Sequence, residues 1–281
     1  MQFGIIINAG DPRTIAELAV AAEAAGWDGA FTYDAIAIGD TEMWDPWVVM
    51  AAMATRTERI RLGAILTPPS RRRPWKLARE ALTIDHLSGG RLVLPVGLGA
   101  LDDAGFGAVG EPTDARTRAE LLDESLEILA GLWTGEAFSH DGRHFRIASM
   151  TMRPRPVQQP RIPIWIAAAW PRRRSMARAV RWDGILPQIH DANGANVPYT
   201  PERIREIVEW IGRERAQAGL DGPFDVVVDG QTPADDAAAA AATIGPWIDA
   251  GATWWTEVDW QTATVESIRQ RIEAGPPRPP A

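Results

Sequence analysis

Eight short apolar runs, rich in β-branched residues and bounded by Gly, Pro or Asp, recur along the chain with a helix-like run after each. They lie at 3–8 (FGIIIN), 28–33 (DGAFTY), 60–66 (IRLGAIL), 91–97 (RLVLPVG), 162–168 (IPIWIAA), 184–189 (GILPQI), 224–229 (FDVVVD) and 253–258 (TWWTEV). Runs of this length and composition predict strands. The helical stretches fall at 12–25, 45–57, 74–87, 116–133, 172–181, 201–218, 234–250 and 263–274. Thr200-Pro201-Glu202 supplies a cap and a first-turn proline, and Thr232-Pro233 repeats the signal. "EAAGWDGA" and "DAGATWW" read as helix, glycine stop, strand. Strands that are apolar almost throughout belong to a parallel sheet covered by helices. Eight such units predict a (β/α)8 barrel, with a doubly wound open sheet as the lesser alternative. A length of 281 residues suits one barrel domain over 1–281. Two stretches break the alternation. Residues 98–115 follow the fourth strand, and residues 134–161 precede the fifth and contain a hairpin signal at Asp141-Gly142.

Hydrophobic residues make up 46% of the chain, enough for a large core. A net charge of −8 opposes a nucleic-acid partner, which would require a basic face. Cysteine is absent, so disulfides and thiolate chemistry are excluded. His86, His140, His144 and His190 lack metal-ligand spacing, so no metal site is expected. No run approaches the roughly 20 apolar residues of a membrane helix, and the N-terminus lacks a basic region before its short apolar run. A soluble cytoplasmic protein is expected. Most of the 13 tryptophans are expected in the core, with a minority free to line a flat pocket.

Two arginine triplets, "SRRRP" (Ser70 to Pro74) and "PRRRS" (Pro171 to Ser175), stand where a strand passes into a helix. In a barrel both lie in loops at the C-terminal ends of the strands, the face that carries active sites. Helix N-termini there favour an anion. The second triplet is expected to hold it, through one or two of Arg172, Arg173 and Arg174, and the first to form mainly a rim.

The segment "IRLGAILTPPSRRRPWKLAREALTIDHLSGGRLVLPVGLG" (Ile60 to Gly99), followed in order by "LLDESLEILAGLWTGE", "HDGRHFRI", "RPRPVQQPRIPIWIA" and "RWDGILPQ", resembles the luciferase-like flavin-dependent oxidoreductases. The family includes enzymes that use FMN and enzymes that use the deazaflavin coenzyme. The carboxyl-terminal "DAGATWWTEVDW" and "RIEAGPPR" are similar to an actinobacterial branch. The resemblance implies a barrel whose third strand ends, after Ala64, in a non-prolyl cis peptide, Ile65–Leu66, against which the isoalloxazine ring rests. It further implies cofactor contacts from Asn8, from Gly97, Leu98 and Gly99 after the fourth strand, and from the phosphate loop after the fifth. That loop is usually Gly-Gly; here it is Ala167, Ala168, Ala169 and Trp170, followed by Arg172 and Arg173. Alanine keeps the backbone donors but disfavours positive φ, so the loop is expected to take a different path.

Two departures bear on chemistry. Asp34 is retained after the second strand, but Ala35 stands where many members carry histidine, and Ala100 where some deazaflavin dehydrogenases carry glutamate. A sugar-phosphate dehydrogenase is therefore not expected. Asp34 and His190 are the catalytic candidates, with Asp102, Asp103 and Glu257 as further acids; His190 is the group suited to titrate near neutrality. The implied function is a flavin- or deazaflavin-dependent oxidoreductase or monooxygenase acting on a small, largely apolar organic substrate. A separate reductase supplying reduced cofactor, and a homo-oligomeric (homodimeric) state, accompany that expectation. A non-catalytic flavin-binding protein on the same barrel and a barrel lyase or isomerase for a phosphorylated substrate stay open as alternatives.

Overall fold

A computed structural model describes residues 1–191 and 195–278. In chain order the elements are β1 (Gln2–Ile6), α1 (Pro12–Ala24), β2 (Gly29–Thr32), α2 (Pro46–Ala54), β3 (Arg61–Ala64), α3 (Pro74–Leu87), β4 (Leu94–Val96) and α4 (Ala115–Trp133). Then come β5 (Ala137–Asp141), β6 (Arg146–Thr151), β7 (Ile164–Trp170), α5 (Arg173–Val180), β8 (Gly184–His190) and β9 (Asn196–Val197). The chain continues with α6 (Pro201–Gln217), β10 (Asp225–Gly230), α7 (Ala237–Asp249), β11 (Trp254–Glu257) and α8 (Val265–Glu273).

Parallel pairing runs β3-β2-β1-β11-β10-β8-β7-β4. The circuit closes between β3 and β4 through two isolated parallel bridges, Leu62 to Leu92 and Thr67 to Val96. This is the expected eight-stranded barrel, and not the open sheet. The two interruptions also fall as expected. The first contains only a short 3-10 turn at Gly107–Val109, and the second holds the antiparallel β5–β6 hairpin. The hairpin turns over residues 142–145, with Gly142 N donating to Phe145 O, a wider connection than an Asp-Gly pair alone requires.

Helix starts follow the side-chain capping signals. Asp11, Asp45, Asp114, Thr200, Asp236 and Thr264 each accept from a backbone N–H of the first turn. Thr232-Pro233 does not start α7. Thr232 gives both its N–H and its hydroxyl to Glu257, and the helix begins after the Asp236 cap.

The barrel interior is plugged by Phe31, Trp165 and Trp254, whose ring centroids lie 5.4–5.9 Å apart in tilted or edge contacts. Glycines on adjacent strands make that plug possible. A Cβ on Gly4 of β1 would lie 2.5 Å from Phe31 of β2, and one on Gly184 of β8 would lie 2.5 Å from Trp165 of β7. With the middle filled, open space is left at the C-terminal mouth.

Candidate cofactor and substrate cavities

The main cavity at the mouth has a volume of about 530 Å³, and a neighbouring chamber has about 690 Å³. Ile65, Leu66, Gln188 and Trp260 line both. The Ile65–Leu66 peptide is cis, as expected for the end of β3, and the two side chains form the divide between the chambers.

Strand alternation sorts the residues after β7. Ala167 and Ala169 line the main cavity, whereas Ala168 is fully buried in the core outside the barrel. Trp170 also turns away, packing edge-on against Trp210 of α6 at 6.1 Å. Ala168 and Trp170 therefore do not join the cavity wall. β7 stays in register with β8 up to the Trp170–Ile189 pair, so the alanines extend the strand where a Gly-Gly loop was the family pattern. No non-glycine residue takes positive φ among the described residues, in keeping with the negative-φ path expected of alanine. The N–H of Ala169 is already given to Ser175 Oγ at 2.9 Å.

The two triplets differ in their surroundings, and the first is not the rim expected of it. Arg172, Arg173 and Arg174 are all exposed, and only Arg172 borders the cavity. In the first triplet, Arg71 is buried, with 4% of its side chain exposed. It donates to Asp34 Oδ1 and to Asp34 O, at 2.9 and 2.8 Å, and pairs with Asp103. Arg72 pairs with the other Asp34 oxygen at 2.8 Å. Ser70 to Pro74 is therefore a charged keystone rather than a rim. The reason is tertiary: two buried carboxylates, from the loops after β2 and β4, meet there and need cations.

Asp103 is 2% exposed and binds four N–H partners. Its Oδ1 accepts from Ile36, Ala37 and Gly105, and Oδ2 accepts from Ile36 and Arg71. Burial alone would raise this carboxyl, but the hydrogen bonds, led by Ala37 N–H and Arg71, outweigh it and hold its pKa down to about 2. Asp34 and Asp103 both sit at the cavity. Both Asp34 oxygens are taken by arginines, so that residue anchors two loops instead of standing free as a base.

Other expected residues divide similarly. His190, Leu98 and Gly99 line the main cavity. Gly99 has φ +79°, and a Cβ there would lie 2.8 Å from Phe106. Gly97 lies under the floor, where a Cβ would come within 2.9 Å of both Ala167 and Leu66. Ala64 ends β3 as a buried core residue. Asn8 is turned to the β11 side, donating to Asp259 O at 2.7 Å, away from the cavity wall. Glu257 is buried and held by Thr232, Trp255 Nε1 and Arg271, apart from both chambers. Asp102 is exposed. Ala35 and Ala100 both line the main cavity, so the missing family side chains are missing at the cavity itself.

Two features escaped the sequence reading. Asp229, at the end of β10, lines the second chamber and accepts from the Tyr199 hydroxyl and from Trp260 Nε1, the latter at 3.2 Å. Burial, then the Asp229 charge, raises the Tyr199 phenol above its ordinary range, so it stays protonated and donates. Strand alternation carries the signal: Val227 points into the barrel, so Asp229 must as well, one step nearer the mouth. Arg118 is 5% exposed, lines the main cavity, and donates from Nη1 to Leu98 O and Gly99 O at 2.9 and 3.1 Å. Its signal is a charge in the buried stripe of α4, in register with Leu121, Leu122, Ser125 and Leu129.

The profile of the luciferase-like monooxygenase family matches residues 1–276. The chain belongs to this family. Among curated relatives, an F420-dependent glucose-6-phosphate dehydrogenase of Nocardia farcinica is 34% identical over 173 residues, covering 57% of this chain and 48% of that protein. A putative coenzyme F420-dependent oxidoreductase of Mycobacterium tuberculosis is 30% identical over 256 residues, covering 84% of this chain and 67% of that protein. The luciferase-like chain thus spans about half of the first and two thirds of the second. Among solved structures, a monooxygenase from Streptomyces bottropensis superposes with a TM-score of 0.75 at 20% identity, covering 98% of this chain and 97% of that one, a likeness of fold. No helix among the described residues is long and apolar enough to cross a membrane.

Proposed function

We propose that this luciferase-like protein is an oxidoreductase that holds the deazaflavin coenzyme or FMN in the main cavity and a small organic substrate in the second chamber. One observation carries the reading: two chambers meet across the cis Ile65–Leu66 segment, and the first grades from apolar walls to a cationic end. Ile65, Leu66, Ala167 and Ala169 offer apolar contact suited to a flat ring, while Arg71, Arg118 and Arg172 border the same space. That division matches a planar heterocycle with an anionic side chain. When bound, the cofactor supplies hydride or oxygen chemistry. The chain positions the ring on Ile65 and Leu66, shields it with Trp260 and holds the substrate next to it.

The second chamber sharpens the expected substrate. Leu186, Val197 and Val227 favour an apolar body, but Asp229, Tyr199 and Gln261 add a polar end. Asp229 is the anchor for a hydroxyl or amine donor on the substrate, since an ionised carboxylate has lone pairs beyond those taken by Tyr199 and Trp260. Ala35 and Ala100 argue against carrying over the sugar-phosphate reaction of the Nocardia relative. Equilibrium titration with FMN and with the deazaflavin coenzyme, oxidised and reduced, read by fluorescence quenching, tests the proposal. Saturable binding of one of them is expected. A chain that quenches neither is not a flavin-type oxidoreductase, and one that binds but never turns over with oxygen or an acceptor is a carrier.

A further inference from the structure

The two chambers at the mouth differ in charge. Three arginines and two aspartates line the main cavity, and both aspartates are paired, Asp34 with Arg71 and Arg72, Asp103 with Arg71. The second chamber has no arginine, lysine or histidine in its wall, and Asp229 is its one acid among the described residues. Glu257, the buried acid that ends the neighbouring β11, has Arg271 as its cation. Asp229 has no such partner. Its carboxylate accepts from the Tyr199 hydroxyl and from Trp260 Nε1, both neutral groups. These donors fix the carboxylate in place but leave its charge uncompensated.

The hydrogen-bonding capacity of the chamber is equally one-sided. Tyr199 spends its hydroxyl proton, and Trp260 its ring N–H, on Asp229. Thr256, fully buried, donates to Val228 O at 3.2 Å. Gln188 gives Nε2 to Pro187 O at 3.1 Å, which leaves its Oε1 to accept. Each side-chain donor of the wall except the exposed Gln261 is therefore engaged by the protein. What the wall still offers is acceptors, on Asp229 and Gln188. No group of three His, Asp or Glu among the described residues could hold a metal ion, so the cation that suits this wall is organic.

We infer that the second chamber selects substrates that carry a protonated amine, with Asp229 as the residue that reads the charge. This rests on the cofactor and substrate reading above and narrows it. An ammonium brings three donors and no acceptor, which matches a wall of acceptors. A hydroxyl brings one donor together with lone pairs that only Gln261 could satisfy, and a carboxylate or phosphate is repelled by Asp229. Leu186, Val197 and Val227 receive the apolar body of the same molecule. An anionic cofactor in the main cavity makes the adjoining space more favourable still for a cation.

The test is calorimetric titration of the full chain with 2-phenylethylamine, 2-phenylethanol and 3-phenylpropionate. Each is run without cofactor and then with whichever of FMN and the deazaflavin coenzyme binds. The parent should bind the amine at least about tenfold more tightly than the alcohol, and the carboxylate most weakly. In Asp229→Asn, which still accepts from Tyr199, the amine should weaken roughly 10- to 150-fold, the range of one charge-assisted contact. The alcohol should change less than about three-fold. Gln188→Lys leaves Asp229 in place and brings a side-chain cation into the chamber; it should also lose the amine. An alcohol or carboxylate that binds the parent as well as the amine does would overturn the inference. So would amine affinity that survives either substitution. The ligand ranking in the parent and the Gln188→Lys result decide the matter even if Asp229→Asn does not fold. Amine preference in a chain that binds neither chromophore leaves the cation site standing and sinks the cofactor reading. Chromophore binding without amine preference does the reverse.

Discussion

The loops after β3 and β7 carry nearly mirrored arginine triplets, yet one is built into the protein and the other lies on it. After β3, Arg71 and Arg72 reach back to Asp34 and across to Asp103, joining the loops that follow β2, β3 and β4. After β7, Arg172, Arg173 and Arg174 meet no described carboxylate and are solvated. Arginine content is the same, so what distinguishes them is the company each loop keeps. Buried carboxylates on neighbouring loops draw a guanidinium inward, whereas the β7 loop faces Ser175 and solvent. An arginine-rich loop thus marks a functional face without saying whether its charge serves the fold or a ligand.

Breaking the β3 cluster should have the largest effect. Arg71→Met leaves two buried carboxylates short of a cation and is expected to lower stability by about 3–5 kcal/mol, read as a shift of the urea midpoint. A loss under about 1 kcal/mol would mean that Arg72 alone can balance the site.

The next effect is acid sensitivity. Asp103 titrates at about 2 in the folded chain, below the ordinary aspartate value of about 3.9. Its contribution is therefore fully present above pH ~4 and is lost as pH falls through ~2, amounting to about 2 kcal/mol. Asp103→Asn should flatten the stability curve between about pH 4 and pH 2, measured by denaturant unfolding across that range. An unaltered acid limb would place the titrating group elsewhere.

Gly99→Ala is expected to cost about 1–3 kcal/mol, since it forces a side chain into positive φ against Phe106 and Pro68. Thermal melts should show it, together with weaker cofactor binding, because Leu98 and Gly99 carry the carbonyls that Arg118 holds. At the small end, Arg173→Ala and Arg174→Ala should each change stability by less than about 0.5 kcal/mol and leave cofactor affinity unaltered. A tenfold loss of affinity in either would erase the contrast between the two loops.

Much of this architecture was legible without coordinates. The eight apolar runs, their glycine stops, the cap at Thr200 and the hairpin in 134–161 are short-range signals, each set within a few residues by hydrogen bonding and side-chain periodicity. The cis bond at Ile65–Leu66 and the alanine path after β7 followed from resemblance and from the φ preference of alanine. Tertiary structure alone decided the charges. Arg71 finds its partners 37 and 32 positions away, and no local pattern ranks Asp34 or Asp103 above the other acids. Ala168 and Trp170 were placed with the cavity because a loop was expected there; the strand continued, and alternation turned them outward. Asp229 and Arg118 were overlooked for the complementary reason. Each interrupts an apolar face at the right period, but only barrel closure, which brings the ends of β10, β4 and α4 to one mouth, shows that those interruptions meet in a cavity and not in solvent.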